Sequence, residues 1–336
     1  MRALLLVTCL VATSPAWASL ASMEEVMGRS QGEGKADKSM EEISATDHER
    51  VKRQAGGTGD LSTDPNIVET ASLPMRGNEV DTRIMPTIGN GLIGTTVYGQ
   101  YVYLNGVYNG DEITSHRARI PALVMTRVSL KPETETTAIR KFYMNAETGV
   151  FTEKIICDFG KIYHNTYIHS KYPRLLVTDI YAERTGARGG TIQLEYPQLN
   201  HSQDFNWGIP QERDFRWSVT GTTKEAEPGE NPVTVHIYFH LPQSQIVMQG
   251  STNKANRTMV MAIDRTDAAA RNEYDIANDI MSERFCNNNP SQGPCGHYKL
   301  MQEHIEHWRK TWYSGRVEVD GNIELDKIAR GHCLSS

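Results

Sequence analysis

A mainly β chain, one large antiparallel β-sandwich followed by α-helices, is what this sequence predicts. Three observations predict it. From about Ile84 to Ile263, short runs rich in Val, Ile, Thr and Tyr succeed one another, such as Tyr101-Val102-Tyr103-Leu104, Thr191 to Tyr196 and Val233 to Phe239. Several alternate apolar with polar residues, the period of a strand buried on one face. Turn-forming pairs separate them (Asn105-Gly106, Asn109-Gly110, Gly189-Gly190, Pro228-Gly229), with no helical pattern between.

The pattern changes after Asp264. Thr266 and Asp267 can cap a helix running through Ala268-Ala269-Ala270 towards Arg284. A second helix is expected over about Tyr298 to Tyr313, where His304, Trp308 and Trp312 recur every fourth residue and so share one face. His304 and His307 invite a metal reading. Zinc-binding helices space their histidines four apart and need further ligands, so a packing face is expected and no metal or cofactor.

The N-terminal end reads differently. Arg2, the apolar run Ala3 to Ala12 and the triplet Ala16-Trp17-Ala18 have the layout of a secretory signal peptide, with a core too short to stay in a bilayer. Residues 1–18 are therefore expected to direct a secreted or lumenal, oxidising location. Between Ala18 and Val97 there is no Phe, Trp or Tyr, and residues 19–80 are expected to lack fixed structure. Arg50-Val51-Lys52-Arg53 within them is either a convertase site, cut after Arg53 to release a pro-segment, or an uncut charged linker.

Composition excludes two classes. With 35 Lys and Arg against 41 Asp and Glu, the net charge of -6 argues against a nucleic-acid partner, whose phosphates need clustered cations. Beyond the N-terminus no apolar run is long enough to span a membrane. Five Cys are too few and too scattered for a disulfide miniprotein or a zinc ribbon. Cys286 and Cys295 bracket a loop short enough for a disulfide, the pairing expected, although spacing alone does not fix connectivity. Cys157 sits in a strand-like run and reads as a buried free thiol. The sequons at Asn200 and Asn256 are expected to carry glycans in a secreted chain.

No reaction centre is legible. The sequence holds no nucleophile elbow, no P-loop and no Cys/His nucleophile pattern. Gly89, Gly91 and Gly94 have phosphate-cradle spacing but no following helix, so they read as a tight turn. Asp111 and Glu112 are adjacent, so in a strand they would face opposite ways, poor geometry for a glycosidase pair.

One dense stretch goes further. Pro86-Thr87-Ile88-Gly89-Asn90-Gly91-Leu92-Ile93-Gly94-Thr95 precedes Asn105-Gly106-Val107-Tyr108-Asn109-Gly110 and Ser115-His116-Arg117-Ala118-Arg119-Ile120-Pro121. These resemble the N-terminal region of the acid-trehalase-like proteins of glycoside hydrolase family 65. The resemblance continues through Asn145-Ala146-Glu147-Thr148-Gly149-Val150-Phe151, Tyr167-Ile168-His169, the His304/Trp308/Trp312 helix and Val317 to Gly321, covering roughly Ile84 to Ile328.

The resemblance implies an N-terminal β-supersandwich, linker helices, and an (α/α)6 barrel whose carboxylates hydrolyse a glucoside with inversion. It implies as partner a collagen-type glycopeptide or another glucoside. In this layout 81–263 is the sandwich, 264–315 the linker helices and 316–336 the start of a truncated barrel domain. The residues after Ile328 do not look like the apolar barrel helix due there, and no position matches the family's catalytic acid. No catalytic residue is carried over, and the chain is expected to be inactive by itself.

Family sandwich loops reach towards the active site. Asn109, His116, Arg117 and Arg119 are therefore candidates to touch sugar or to brace the domain interface, unless they simply stabilise their own turn. A stand-alone secreted carbohydrate-binding or interaction module is the alternative. A barrel-less fragment should leave the apolar surface around Trp308 and Trp312 exposed, whereas a stand-alone module should bury it or pair it in a dimer.

Overall fold

The computed structural model describes Asp64 and residues 66–131, 135–199, 202–213, 216–226, 229–282 and 295–315 (side chains from Tyr298 in the last stretch), with Asn322, Asp326, Lys327 and Arg330. The signal segment, Arg53, Asn200, Cys286 and the Cys295 side chain lie outside the described residues.

One antiparallel sheet of ten strands organises the chain. In spatial order it runs Ile67–Thr70, Ile139–Asn145, Val150–Cys157, Gly160–Ile168, Leu175–Arg184, Lys254–Asp264, Thr234–His240, Arg216–Thr223 and Phe205–Trp207, with Gln211–Arg213 also paired to Arg216–Thr223. Four of these strands follow one another in sequence, because tight turns close antiparallel neighbours locally. A three-stranded sheet (Arg127–Leu130, Gly190–Glu195, Gln245–Met248) and a four-stranded one (Thr87–Gly89, Ile93–Thr96, Tyr101–Leu104, Ile120–Pro121) supply the opposing layer.

Alternation decides which side chains meet. Phe142, Phe151, Ile155, Ile162, Leu176, Ile180, Met259 and Met261 point inward from the large sheet. They pack against Ile88, Ile93, Val102, Val128, Ile192 and Ile246 of the smaller sheets. Each such side chain removed from water contributes roughly 1.5–3 kcal/mol before ordering costs. The expected sandwich is thus present.

Two helices follow, α1 (Asp267–Ser282) and α2 (Cys295–Ser314). They cover one end of the sheet's outer face, where Tyr167, Leu175, Val177, Val260 and Ala262 meet Tyr274, Ala277, Ile280 and Leu300. No described helix is long and apolar enough to cross a membrane.

Two expectations need correction. The 19–80 segment is not without structure to its end: Ile67–Thr70 forms the edge strand of the large sheet, with Ile67 buried. Four ladder residues and one isoleucine suffice there because the neighbouring strand is already fixed. The tryptophans of α2 are not left exposed: Trp312 is buried, and both it and Trp308 pack against the sandwich core. The exposure expected of a barrel-less fragment is thus not met at these two residues, and their burial within the chain is the outcome expected of a stand-alone module.

Candidate functional site

The segment 105–119 forms a ribbon at the surface. Gly106 (φ +76°) turns the chain out of Tyr101–Leu104, and Tyr108–Asn109 then pairs with His116–Arg117. Its tip is tightly built. Gly110 has φ +103°, and a Cβ there would lie 2.5 Å from the Thr114 carbonyl oxygen, so only glycine fits. The Thr114 hydroxyl donates to Asp111 Oδ1 (2.7 Å) and accepts from the Asp111 N–H (3.0 Å). Ile113, at the summit, is 98% exposed.

The four sequence candidates occupy this ribbon, with different roles. Asn109 is buried, and its Oδ1 accepts from the Glu225 N–H at 3.1 Å, so it ties two loops together. Arg119 donates to Asp204 three times, from its backbone N–H (2.8 Å), Nε (2.9 Å) and Nη2 (2.6 Å). Its guanidinium also lies 5.9 Å from the Tyr101 ring centroid. His116 Nε2 lies 3.3 Å from the same carboxylate, while Nδ1 bonds the Thr114 carbonyl at 2.9 Å. Arg117 is exposed. Three candidates (Asn109, His116, Arg119) are thus held in place by their neighbours, and two (Arg117, Arg119) still present side-chain donors to solvent.

Asp204 is the residue sequence reasoning missed. It stands 85 positions from Arg119, a lone aspartate in a polar loop, and no spacing rule links the two. Its side chain is only 3% exposed. Burial pushes its carboxyl up, but the Arg119 guanidinium and N–H outweigh this and hold it below the ordinary carboxylate range. A carboxylate so saturated is a positioning group, not a proton donor.

Two other buried carboxylates are held to different degrees. Glu153 accepts from the Tyr98 hydroxyl (2.7 Å) and bonds His164 Nδ1 (3.1 Å) and Arg140. Burial raises its pKa, while His164 and Arg140 lower it further than that. Tyr98 reaches it from a left-handed backbone (φ +58°), the mark of a side chain whose position is fixed by its partners. Asp179 accepts from the Thr258 hydroxyl, and burial pushes its carboxyl up to about 7. An open cleft of about 490 Å³, lined by Lys131, Asp158, Arg188, Thr191 and Gln249 among others, offers one carboxylate. None of these arrangements is the carboxylate pair that glycosidic hydrolysis uses. Among the described residues no group of three His, Cys, Asp or Glu is placed to hold a metal.

The remaining motif residues fix α2. Asn90, in the turn between Thr87–Gly89 and Ile93–Thr96, donates to the Pro173 (2.8 Å) and His169 (3.2 Å) carbonyls. His169 Nδ1 accepts from the Lys171 and Tyr172 N–H groups, and Nε2 donates to the Leu300 carbonyl at 3.1 Å. His304 Nδ1 accepts from the Ser170 N–H, and its ring stacks on Tyr167 at 4.6 Å. Burial lowers both histidines, to about 4 for His169 and about 3 for His304. Trp308 Nε1 donates to the Ala146 carbonyl (2.9 Å), and a Cβ on Gly149 would lie 2.8 Å from its ring. The glycine-rich stretch at Gly89 is therefore a turn, and the His/Trp face of α2 a packing face.

Of the modification candidates, Cys157 is a half-buried free thiol, pushed up by burial. Asn256 lies in the Lys254–Asp264 strand opposite Tyr181, half-buried.

Comparisons with known proteins point one way. No protein-family model matches the chain. It is 25% identical over 281 residues to protein-glucosylgalactosylhydroxylysine glucosidase of Gallus gallus, a match covering 82% of this chain and 36% of that protein. The Mus musculus protein of the same name is 24% identical over 273 residues, covering 80% and 36%. That of Dictyostelium discoideum is 22% identical over 268 residues, covering 73% and 34%. The chain thus spans about a third of the length of these relatives. Among solved structures, a putative kojibiose phosphorylase from human microbiome superposes with a TM-score of 0.55 at 12% identity, covering 82% of this chain and 42% of that one. That likeness concerns the fold, a family 65 sandwich domain. The chain is thus similar, along about four-fifths of its length, to a part of the proteins named protein-glucosylgalactosylhydroxylysine glucosidase, and it shares its fold with a part of the phosphorylase.

Proposed function

We propose that this chain is the sandwich portion of a secreted glycoside hydrolase that removes glucose from glucosyl-galactosyl-hydroxylysine, and that it does not hydrolyse the glycoside by itself. The observation that carries this reading is the alignment of four-fifths of the chain with a third of glucosidases of that name. The chemistry agrees, since Asp204 and Glu153 are locked in ion pairs, and Asp179, though raised to about 7, is raised by burial and not by a second carboxylate beside it. Hydrolysis with inversion needs one carboxyl free to donate a proton and another free to activate water. On this reading the ribbon carrying His116, Arg117 and Arg119 faces substrate, its donors matched to sugar hydroxyls and its base fixed by Asp204 and Asn109.

The test is titration of a glucosyl-galactosyl-hydroxylysine peptide into the isotopically labelled chain, followed by NMR. The expected result is weak binding that shifts the signals of His116, Arg117 and Arg119. Shifts confined to another surface, or none at saturating peptide, would remove the ribbon from this role.

A further inference from the structure

Beyond the end covered by the helices, the outer face of the large sheet is polar and aromatic. The register sets Lys141, Lys154, Tyr163, Tyr181 and Asn256 side by side across five adjacent strands. Residues so paired share one face. Lys154 is buried within this row, its ammonium 5.8 Å from the Tyr163 ring centroid, so the accessible stretch runs over three strands from Tyr163 to Asn256, about 10 Å at ~4.8 Å per strand. The Tyr163 and Tyr181 rings, both half-buried, lie 6.2 Å apart with their planes 32° from parallel. At the end of the row Asn256 has its Oδ1 buried and without a hydrogen-bond partner. A polar atom in that condition is costly, which marks it as awaiting a donor.

Asn256-Arg257-Thr258 is also a glycan acceptor triplet. We propose that Asn256 carries an N-linked glycan and that its first sugars lie along this strip, on the rings of Tyr181 and Tyr163. The apolar face of a sugar packs on an aromatic ring, and its hydroxyl or acetamido N–H supplies the donor that Asn256 Oδ1 lacks. In the transfer, Asn256 Nδ2 bonds to the anomeric carbon of a lipid-pyrophosphate-linked oligosaccharide. The carbon–oxygen bond to the pyrophosphate breaks, its electron pair leaving with the lipid pyrophosphate, and the amide proton passes to a base of the transferase. Thr258 is buried in the folded sheet with its hydroxyl committed to Asp179, so the transfer precedes closure of the Lys254–Asp264 strand. The inference rests on the secretory part of the reading above.

The experiment uses the full chain expressed in animal cells and recovered from the medium. Mass spectrometry of the Asn256 peptide is expected to find a glycan. Asn256→Gln should then lower Tm by about 2–4 °C, the shift typical of a contact of this size in a domain this large. In a double-mutant cycle that loss should at least halve in the Tyr181→Ala background and persist in Tyr181→Phe, which keeps the ring. Tyr163→Ala serves in place of Tyr181→Ala should the latter fail to fold. An unmodified Asn256 in secreted protein overturns the proposal, as does an undiminished loss in both alanine backgrounds. A chain retained in the cytosol overturns it by a different route, because the secretory reading itself then fails.

Discussion

Two segments that carry the family resemblance, the hairpin Asn145–Gly149 and the ribbon 105–119, are used in opposite ways. The hairpin is consumed by packing: Ala146 accepts from Trp308, Glu147 from Tyr313, and Gly149 leaves room for the indole. The ribbon is rigid at its base but keeps a summit in water, with Ile113 98% exposed and the Arg119 side chain 43% exposed. A motif can therefore be specific to a family for either of two reasons, because the fold needs it or because a partner does. Only the three-dimensional contacts separate the two, and they assign the hairpin to the first kind and leave the ribbon open to the second.

The largest effects should fall on the hairpin side. Trp312→Ala removes a buried indole and is expected to cost about 3–5 kcal/mol in urea unfolding. Gly149→Ala places a methyl group against Trp308 from a backbone at φ +65°, for about 2–3 kcal/mol. If the clash with the indole is the cause, part of that loss should disappear in a Trp308→Ala background.

Acid should also weaken this side first. His169 and His304 are lowered in the fold from 6.5 to about 4 and about 3, so the unfolded chain takes up protons that the folded one refuses. Their contribution is complete above about pH 6.5 and is lost as pH falls towards those folded values. Asp179 opposes them. Its carboxyl is raised from 3.8 to about 7, so it costs stability as pH rises across that interval. Urea midpoints measured from pH 7 to 4.5 should fall, and fall more steeply in Asp179→Asn, where the opposing group is gone.

The ribbon should respond less. Asp204→Asn keeps the shape of the side chain but removes its charge, with an expected cost of about 1–2 kcal/mol. Arg117→Ala should stay within about 0.5 kcal/mol of the parent while weakening the glycopeptide titration. A large stability loss from Arg117→Ala would erase the distinction between the two segments.

The sandwich was legible because alternation and turn pairs are local signals, and the helices because their periodicity is local too. α1 is described as far as Ser282, the expected end at Arg284 lying outside the described residues, and α2 ends at Ser314, one beyond Tyr313. Asp204 was not legible, since the pull of Arg119 on it acts across the fold and leaves no trace in spacing. Nor was the way Asn90 holds the 169–173 loop and His169 grips α2, for each is an ordinary polar residue until the register brings it to a carbonyl. The edge strand at Ile67 escaped notice because one isoleucine in a polar segment carries no periodicity.

The most direct test of the central claim is to follow glucosyl-galactosyl-hydroxylysine peptide with the purified chain by proton NMR of the anomeric region. The Gallus gallus relative serves as the active control. The control is expected to release glucose while the glycopeptide signals in the presence of this chain stay unchanged. Free glucose appearing with this chain alone would contradict it, and would place a working carboxylate pair inside the sandwich.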